Sequence, residues 1–357
     1  MTRLWTCGWE TGDVAEAGVG VVGANSTHTV VSTAPTPRAG SYCWKLATSA
    51  GSFTASSKSF VVAAPKTELW VRFAFLAHPL TATSVFSIAQ LQDSATTGSS
   101  TLSFDATTGN LLLRLGIATG TILATSTAAV TFDAWHLIEW RTQITSTTVG
   151  VSEVWLDGNR VINFSGDNTG TAALANVQTI LLGIATTVAS GAAIGMYFAY
   201  DDLAINDTAG TRNNGQPGDG RVVLLVPTGA GSSTQWTRGG TDSGANWSQT
   251  EELPPSMTDY VASATVAQRD LYAMSDIGVG VSSINVVEAI ALAQNSDAGG
   301  GSVGLTLKSG ATTNEATAIA LGTSAGYAVS RWETDPNTAA AWTLSAVNAA
   351  EAGATVR

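Results

Sequence analysis

Charged side chains are scarce, making up 12% of 357 residues against a usual ~25%. The apolar share is 44%, so the shortage of charge does not come with the poor hydrophobicity that leaves a chain disordered. The chain is expected to fold. Cysteine is nearly absent: Cys7 and Cys43 lack a Cys-x-x-Cys spacing, which argues against a structural zinc site and a disulfide-stapled scaffold. A single Cys7–Cys43 bridge is left open. Histidine is rare as well, and His28, His78 and His136 have no paired spacing of the kind a transition-metal site needs. The good helix formers Lys, Glu, Arg and Gln are few beside Thr, Val, Ser and Gly, a composition of pleated surfaces joined by turns. An all-β fold follows.

Basic residues number 16 against 27 acidic ones, a net charge of −11. A chain of that sign is repelled by phosphate backbones, which removes nucleic acid from the expected partners. No apolar run follows Arg3, so no secretory signal peptide is expected and folding in a reducing cytosol is the default. Residues 168 to 200 carry no charge, a stretch longer than the ~20 residues of a membrane span. Gln178, Gly183, Ser190 and Gly191 break it into blocks of strand length, read as two buried strands near 177–184 and 193–200. Membrane insertion is not expected.

At ~150 residues per domain the length suggests two. Leu69 to Leu76 alternates, with Leu69, Val71, Phe73 and Phe75 on one face and Trp70, Arg72 and Ala74 on the other, as a period of two requires. Trp135 to Arg141 does likewise. Val149 to Leu156 runs into Asp157-Gly158-Asn159 and returns through Arg160 to Phe164, the strongest hairpin signal in the chain because Gly supplies the positive φ of a tight turn. A second hairpin joins Leu102–Asp105 to Leu111–Leu115. The pattern stops after Ile205, and 206–220, rich in Asn, Gly and Thr, reads as a linker. Domains are therefore expected at 1–205 and 221–357. The second begins with the apolar run Val222 to Val226 and continues with strand-like pieces near 260–266, 278–293, 302–307 and 316–321. Residues 286–294 also admit a short helix. No fixed-period repeat is present.

Catalytic strings fail on context. Gly18 to Gly23 fits the dinucleotide fingerprint, but residues 25–37 cannot form the helix that motif requires. Gly322-Thr323-Ser324-Ala325-Gly326 fits a nucleophile elbow, yet every histidine lies upstream. Glu10, Asp13 and Glu16 cannot all face one cleft from a strand. No catalytic residues and no cofactor are expected, and the chain reads as a non-enzyme. Asp201 and Asp202 are weak calcium candidates, since adjacent carboxylates can ligate that ion. Tryptophan is the conspicuous functional residue type, at 11 residues. Trp70, Trp140 and Trp155 sit in strong strands and are assigned to core packing. Trp236 and Trp247, in a Gly- and Ser-rich stretch, are the candidates for an exposed contact.

Glu10-Thr11-Gly12, Leu69 to Phe73, Trp135 to Trp140, Val154 to Gly158 and Tyr200-Asp201-Asp202-Leu203 together resemble the laminin-G-like or concanavalin-like jelly roll over residues 1–205. Asn246-Trp247, Glu251 to Pro255, Trp332-Glu333-Thr334-Asp335-Pro336-Asn337, Ala341-Trp342-Thr343 and Val347-Asn348 resemble virion structural proteins of tailed bacteriophages. The resemblance implies a tail-associated, self-assembling virion component whose partners are other virion proteins, copies of itself and host-surface glycans. Two alternatives stand beside it: a capsid decoration protein, and a carbohydrate-binding module or glycan hydrolase.

Overall fold

The computed structural model describes residues 3–49, 52–53, 55–78, 84–146, 148–170, 175–185, 188–189 and 196–357. The chain is nearly all antiparallel β and divides into two compact units: Met1–Glu10 with Ala17–Val222, and Thr11–Glu16 with Val223–Arg357.

The first unit is a sandwich of two large sheets. One has the strand order Asn159–Gly166, Gly150–Leu156, His136–Ile144, Glu68–Ala77, Tyr197–Asp207, Cys43–Thr48, Ser26–Val31, with Arg3–Cys7 also paired to Tyr197–Asp207. The other runs Ile122–Ala129, Asn110–Leu115, Gly98–Asp105, Val85–Gln92, Val177–Ile184, Ser56–Lys66, Val19–Val21. Non-consecutive neighbours such as Glu68–Ala77 beside Tyr197–Asp207 are the crossovers of a jelly roll. The inward faces supply the core: Val71, Phe73 and Phe75 from one strand, Ile138 and Trp140 from the next, Phe86, Leu102 and Phe104 from the opposite sheet, all essentially inaccessible to water.

Local sequence explains the turns. Asp157 (φ 51°) and Gly158 (φ 80°) both take the left-handed conformation a two-residue hairpin needs. The 102–115 hairpin forms with Leu111 opposite Phe104. Val177–Ile184 is a strand, and the second one expected near 193–200 is Tyr197–Asp207, in the other sheet; residues 193–195 lie outside the described residues. Gly18 to Gly23 contains the exposed edge strand Val19–Val21, with no helix after it. Among the described residues no helix is long and apolar enough to cross a membrane.

Two expectations change. Residues 206–220 are more than a linker, because the stretch to Val222 lies against the first unit as a strap. The apolar run Val222 to Val226 is not a strand. Two of its backbone donors go to side chains instead of a neighbouring strand: Val222 N–H donates to Asp202 and Val226 N–H to Ser275 Oγ.

The second unit is a smaller sandwich. Its six-stranded sheet has the order Pro227–Thr234, Arg269–Met274, Glu351–Val356, Ser302–Ser309, Thr312–Glu315, with Ile319–Ala320 also paired to Ser302–Ser309. The two-stranded ribbon Val287–Ala293 with Gly326–Trp332 supplies Ala328 and Trp332 to a core shared with Val303, Leu305, Leu307, Trp342 and Val347. The 286–294 segment is thus strand. The closing motif is a staple. Trp342 donates its indole N–H to the Trp332 carbonyl at 2.9 Å, Asp335 accepts from Asn337 N–H at 2.9 Å and Thr338 Oγ1 at 3.0 Å, and Thr343 caps the short helix Leu344–Asn348.

Candidate functional site

The outward face of the first sheet carries the unit's concentrated chemistry. Because side chains alternate, the strand that sends Val71 and Phe73 inward sends Glu68, Trp70 and Arg72 outward. Register then sets their neighbours: Glu139 lies opposite Arg72 on one side and Trp155 on the other, and Arg141 lies between Trp70 and Glu153. Trp70 and Trp155, half-buried, stand with ring centroids 5.1 Å apart. This corrects their assignment to the core; of the three, Trp140 is the one that packs inside. The Arg141 guanidinium sits 5.7 Å from the Trp70 centroid and bonds Glu68 at 2.8 Å and Glu153 at 2.9 Å. Arg160 holds the other Glu153 oxygen at 2.6 Å.

Beyond Glu139 the face opens into a groove of about 710 Å³ whose lining includes Arg38, Trp135, Glu139, Asp157, Asp219 and Arg221. The strap forms one wall. Buried Glu139 accepts from Gln216 Nε2 and Gly218 N–H, both at 2.7 Å. Arg72 donates Nε and Nη2 to the Asp202 carbonyl at 3.0 and 2.8 Å and Nη1 to Gly218 O at 3.1 Å. A Cβ on Gly220 would fall 2.4 Å from Arg72 Nη1, so a larger residue there would have to displace a guanidinium held by three hydrogen bonds.

Asp201 and Asp202 are brought together, but their oxygens have other occupants. Asp202 holds Arg38 Nη1 at 2.6 Å and Val222 N–H at 2.7 Å. Asp201 accepts from the N–H groups of Arg38 at 3.0 Å, Ala39 at 3.3 Å and Asp202 at 2.7 Å. A cationic side chain thus stands where the calcium expectation put an ion. Among the described residues no group of three or more His, Cys, Asp and Glu is placed to hold a metal. Burial, then the charge of Asp202, raises the Asp201 carboxyl well above the usual carboxylate range, against the lowering by the N–H groups of Asp202 and Ala39. Burial disfavours the charge on Arg38, and its bonds to Asp219 and Asp202 more than restore it. Asp219 is held low by Arg38.

His136, between Trp135 and Leu137, is fully engaged: Nδ1 lies 2.7 Å from Asp157, and Nε2 accepts the Thr131 N–H at 3.0 Å. That network fixes the proton on Nδ1. Trp135 donates its indole N–H to Thr36 O at 2.9 Å and packs with Tyr197 on Cys43, Leu76 and Ala199. Farther along the same sheet, His78 stacks on Tyr197 at 4.5 Å and bonds Asp133 at 2.6 Å. Lys45 lies 4.1 Å over the Tyr197 ring.

In the second unit Trp236 is half-buried against the core, and its indole donates to Gln268 O at 3.1 Å. Trp247 is half-buried in the single turn Asn246–Gln249. Ser324 lies in a turn. Cys7 and Cys43 are buried and not joined by a disulfide, so the bridge left open does not form. Burial, then Asp201 and Glu10, pushes the Cys43 thiol up to about 12.

Sequence reasoning missed the role of Trp70, Trp155, Trp135, Arg38 and Glu139. The signal was available for two of them, since the alternation already put Trp70 beside Arg72 and Trp155 beside Glu153.

No protein-family model matches the sequence, and no curated protein matches it. Solved structures do. Endo-β-1,4-glucuronan lyase from the fungus Trichoderma reesei is similar over 57% of this chain and 95% of its own, at 16% identity and a TM-score of 0.44. The PL-14 alginate lyase from Aplysia kurodai is similar over 57% and 99%, at 9% identity and a TM-score of 0.41. The carbohydrate-binding module CBM66 from Bacillus subtilis is similar over 51% and 96%, at 11% identity and a TM-score of 0.30. Likeness of this extent says nothing of substrate or activity. The expectation of a non-enzyme is overturned: it rested on the lack of a catalytic string, which excludes no activity, and lyases stand among the similar structures.

Proposed function

We propose that the first unit binds a polysaccharide along the outward face of its first sheet, from the Trp70–Trp155 pair to the groove at Arg38 and Glu139. One observation carries this reading: two half-exposed indoles stand side by side on a face whose flanking charges are locked by one another, and the face leads directly into a polar groove. Indole faces cover the apolar faces of sugar rings, while fixed carboxylates and guanidinium N–H groups meet the hydroxyls. Because Arg141, Glu68 and Glu153 are already held, little side-chain freedom is lost when a ligand lands.

Electrophoresis through gels containing dissolved polysaccharides tests it. Retardation by at least one polymer is expected, and Trp155→Ala and Trp70→Ala should abolish it with an unchanged melting temperature. Retardation that survives both substitutions would overturn the assignment of the face. Assaying the same mixtures for new chain ends decides whether binding is accompanied by cleavage.

The setting that residues 246–255 and 332–348 imply by resemblance, a tail-associated place in a tailed-phage particle with host-surface glycans as the target, belongs to the same proposal. Antibody labelling of virions in the electron microscope checks it, and label absent from particles would remove it. Hundreds of copies per particle would move the chain to the capsid.

A further inference from the structure

The charges on the proposed glycan face close on themselves. Arg141 is shared by Glu68 and Glu153, Arg160 is held by Glu153, and Arg38 is held by Asp202 and Asp219. Arg221 lies 3.8 Å from Asp202 and 4.0 Å from Asp219. Arg72 is buried beneath the strap with two of its nitrogens on the Asp202 carbonyl. Against these five cations stand six carboxylates, Glu68, Glu139, Glu153, Asp157, Asp202 and Asp219, so this set sums to 5 − 6 = −1 before buried Asp201 is counted. The segments outside the described residues contain no ionisable side chain, so they do not alter this sum. The whole chain carries −11.

Resting on the glycan-binding reading, we infer that the polymer taken on this face is neutral, built of sugars without carboxylate or sulfate groups. A polyuronate brings one negative charge per sugar and needs a cation for it. Here each guanidinium already has its carboxylate or carbonyl, and drawing one away strands Asp202 or Glu153 in a buried position, the costly outcome for an ion pair. The long-range field of a net acidic chain adds to the repulsion. A neutral sugar suits the same groups. Its hydroxyls donate to Asp157 and Asp219, whose side chains are 49% and 65% exposed, and accept from guanidinium N–H groups without displacing an ion pair. Lys45, on Cys43–Thr48 of the same sheet, is the cation a uronate would have to recruit. Its ammonium is bonded to Ala34 O at 2.9 Å and lies over the Tyr197 ring.

The test compares neutral polymers (a β-glucan, a xylan, a galactomannan and dextran) with alginate, polyglucuronate and polygalacturonate, by affinity electrophoresis at low and moderate salt. The inference expects at least tenfold tighter binding to one neutral polymer than to any polyuronate, insensitive to salt and lost in Trp155→Ala. Tighter binding to a polyuronate, weakened by salt and by Lys45→Gln, would overturn the inference and leave the glycan reading standing. Binding to none of the seven polymers, nor to any glycan on a broad array, would remove the glycan reading and this inference with it.

Discussion

The two units hold polar groups for opposite purposes. The first has two wide sheets and a continuous apolar core, and it gathers four of its buried ionisable groups, Arg72, Glu139, Asp201 and Asp202, on the outside of one sheet. The second has a core of a few side chains around Trp332 and Trp342, and its buried polar groups tie loops to that core. Asp270 accepts from the N–H groups of Gln235 at 2.5 Å and Trp236 at 2.8 Å and from Asn246 Nδ2 at 2.6 Å. A large core leaves a margin in which charge can be spent on a surface; a small one needs every hydrogen bond to close itself.

The largest expected effect separates the units by their tryptophans. Removing a buried Trp costs roughly 3–5 kcal/mol in either. Trp342→Ala should erase amide protection across Ser302–Ser309 and Glu351–Val356 while Glu68–Ala77 stays protected. Trp140→Ala should lower protection in the first unit yet leave it cooperatively folded. Hydrogen exchange read by mass spectrometry checks both, and unchanged protection in Trp342→Ala would break the comparison.

Asp270→Ala comes next, at about 1–3 kcal/mol in all, since Gln235 is exposed and its freed N–H can turn to water, spreading faster exchange through 235–249 and the Arg269–Met274 strand. Glu139→Gln should instead act locally, speeding exchange at Gly218 and Gly220 with the first core unmoved. If Glu139→Gln destabilises the core strands, the strap is part of the fold rather than a fitting on it.

The smallest effect is in pH. All three histidines lie in the first unit. Burial, then Lys58, lowers His28 to about 4, so between that value and the unfolded value of ~6.5 the unfolded chain binds the extra proton, and stability falls as pH falls. Asp201 has the opposite sign. Its raised carboxyl contributes stability that is fully present below the ordinary carboxylate range and lost as pH rises through the raised value. The two slopes oppose each other between about pH 4 and 6.5. Asp201→Asn should therefore uncover a loss on acidification, and His28→Gln a loss on alkalinisation, in denaturant titrations followed by tryptophan fluorescence. The second unit should respond only lower. Burial works against the charge of Glu351, but Lys308 and Ser232 hold its carboxyl low, and that contribution disappears as pH falls below the ordinary carboxylate range.

Much of the fold was legible because it is written in local rules: the 69–76 alternation and the Asp157-Gly158 turn. The site was less legible, for two reasons. Residue type misleads at Trp70 and Trp155, because a strand tryptophan suggests core although the period of two faces both outward. The rest depends on partners far apart in sequence. Arg38 meets Asp202 across 164 positions, and the strap is fixed to Glu139 across 77 to 79 positions, so a stretch of Asn, Gly and Thr without an apolar run could only read as a linker. Val222 to Val226 failed the same way, since nothing local shows that Asp202 and Ser275 claim its donors.

The strand that closes each principal sheet comes late in its unit. Tyr197–Asp207 lies between Glu68–Ala77 and Cys43–Thr48, and Glu351–Val356 lies between Arg269–Met274 and Ser302–Ser309. During translation each sheet therefore waits as two separate halves until its central strand has left the ribosome, with unpaired strand edges open to other nascent chains. Slow emergence of either segment should raise the yield of aggregated product, and pausing the ribosome after that segment has cleared the exit tunnel should not.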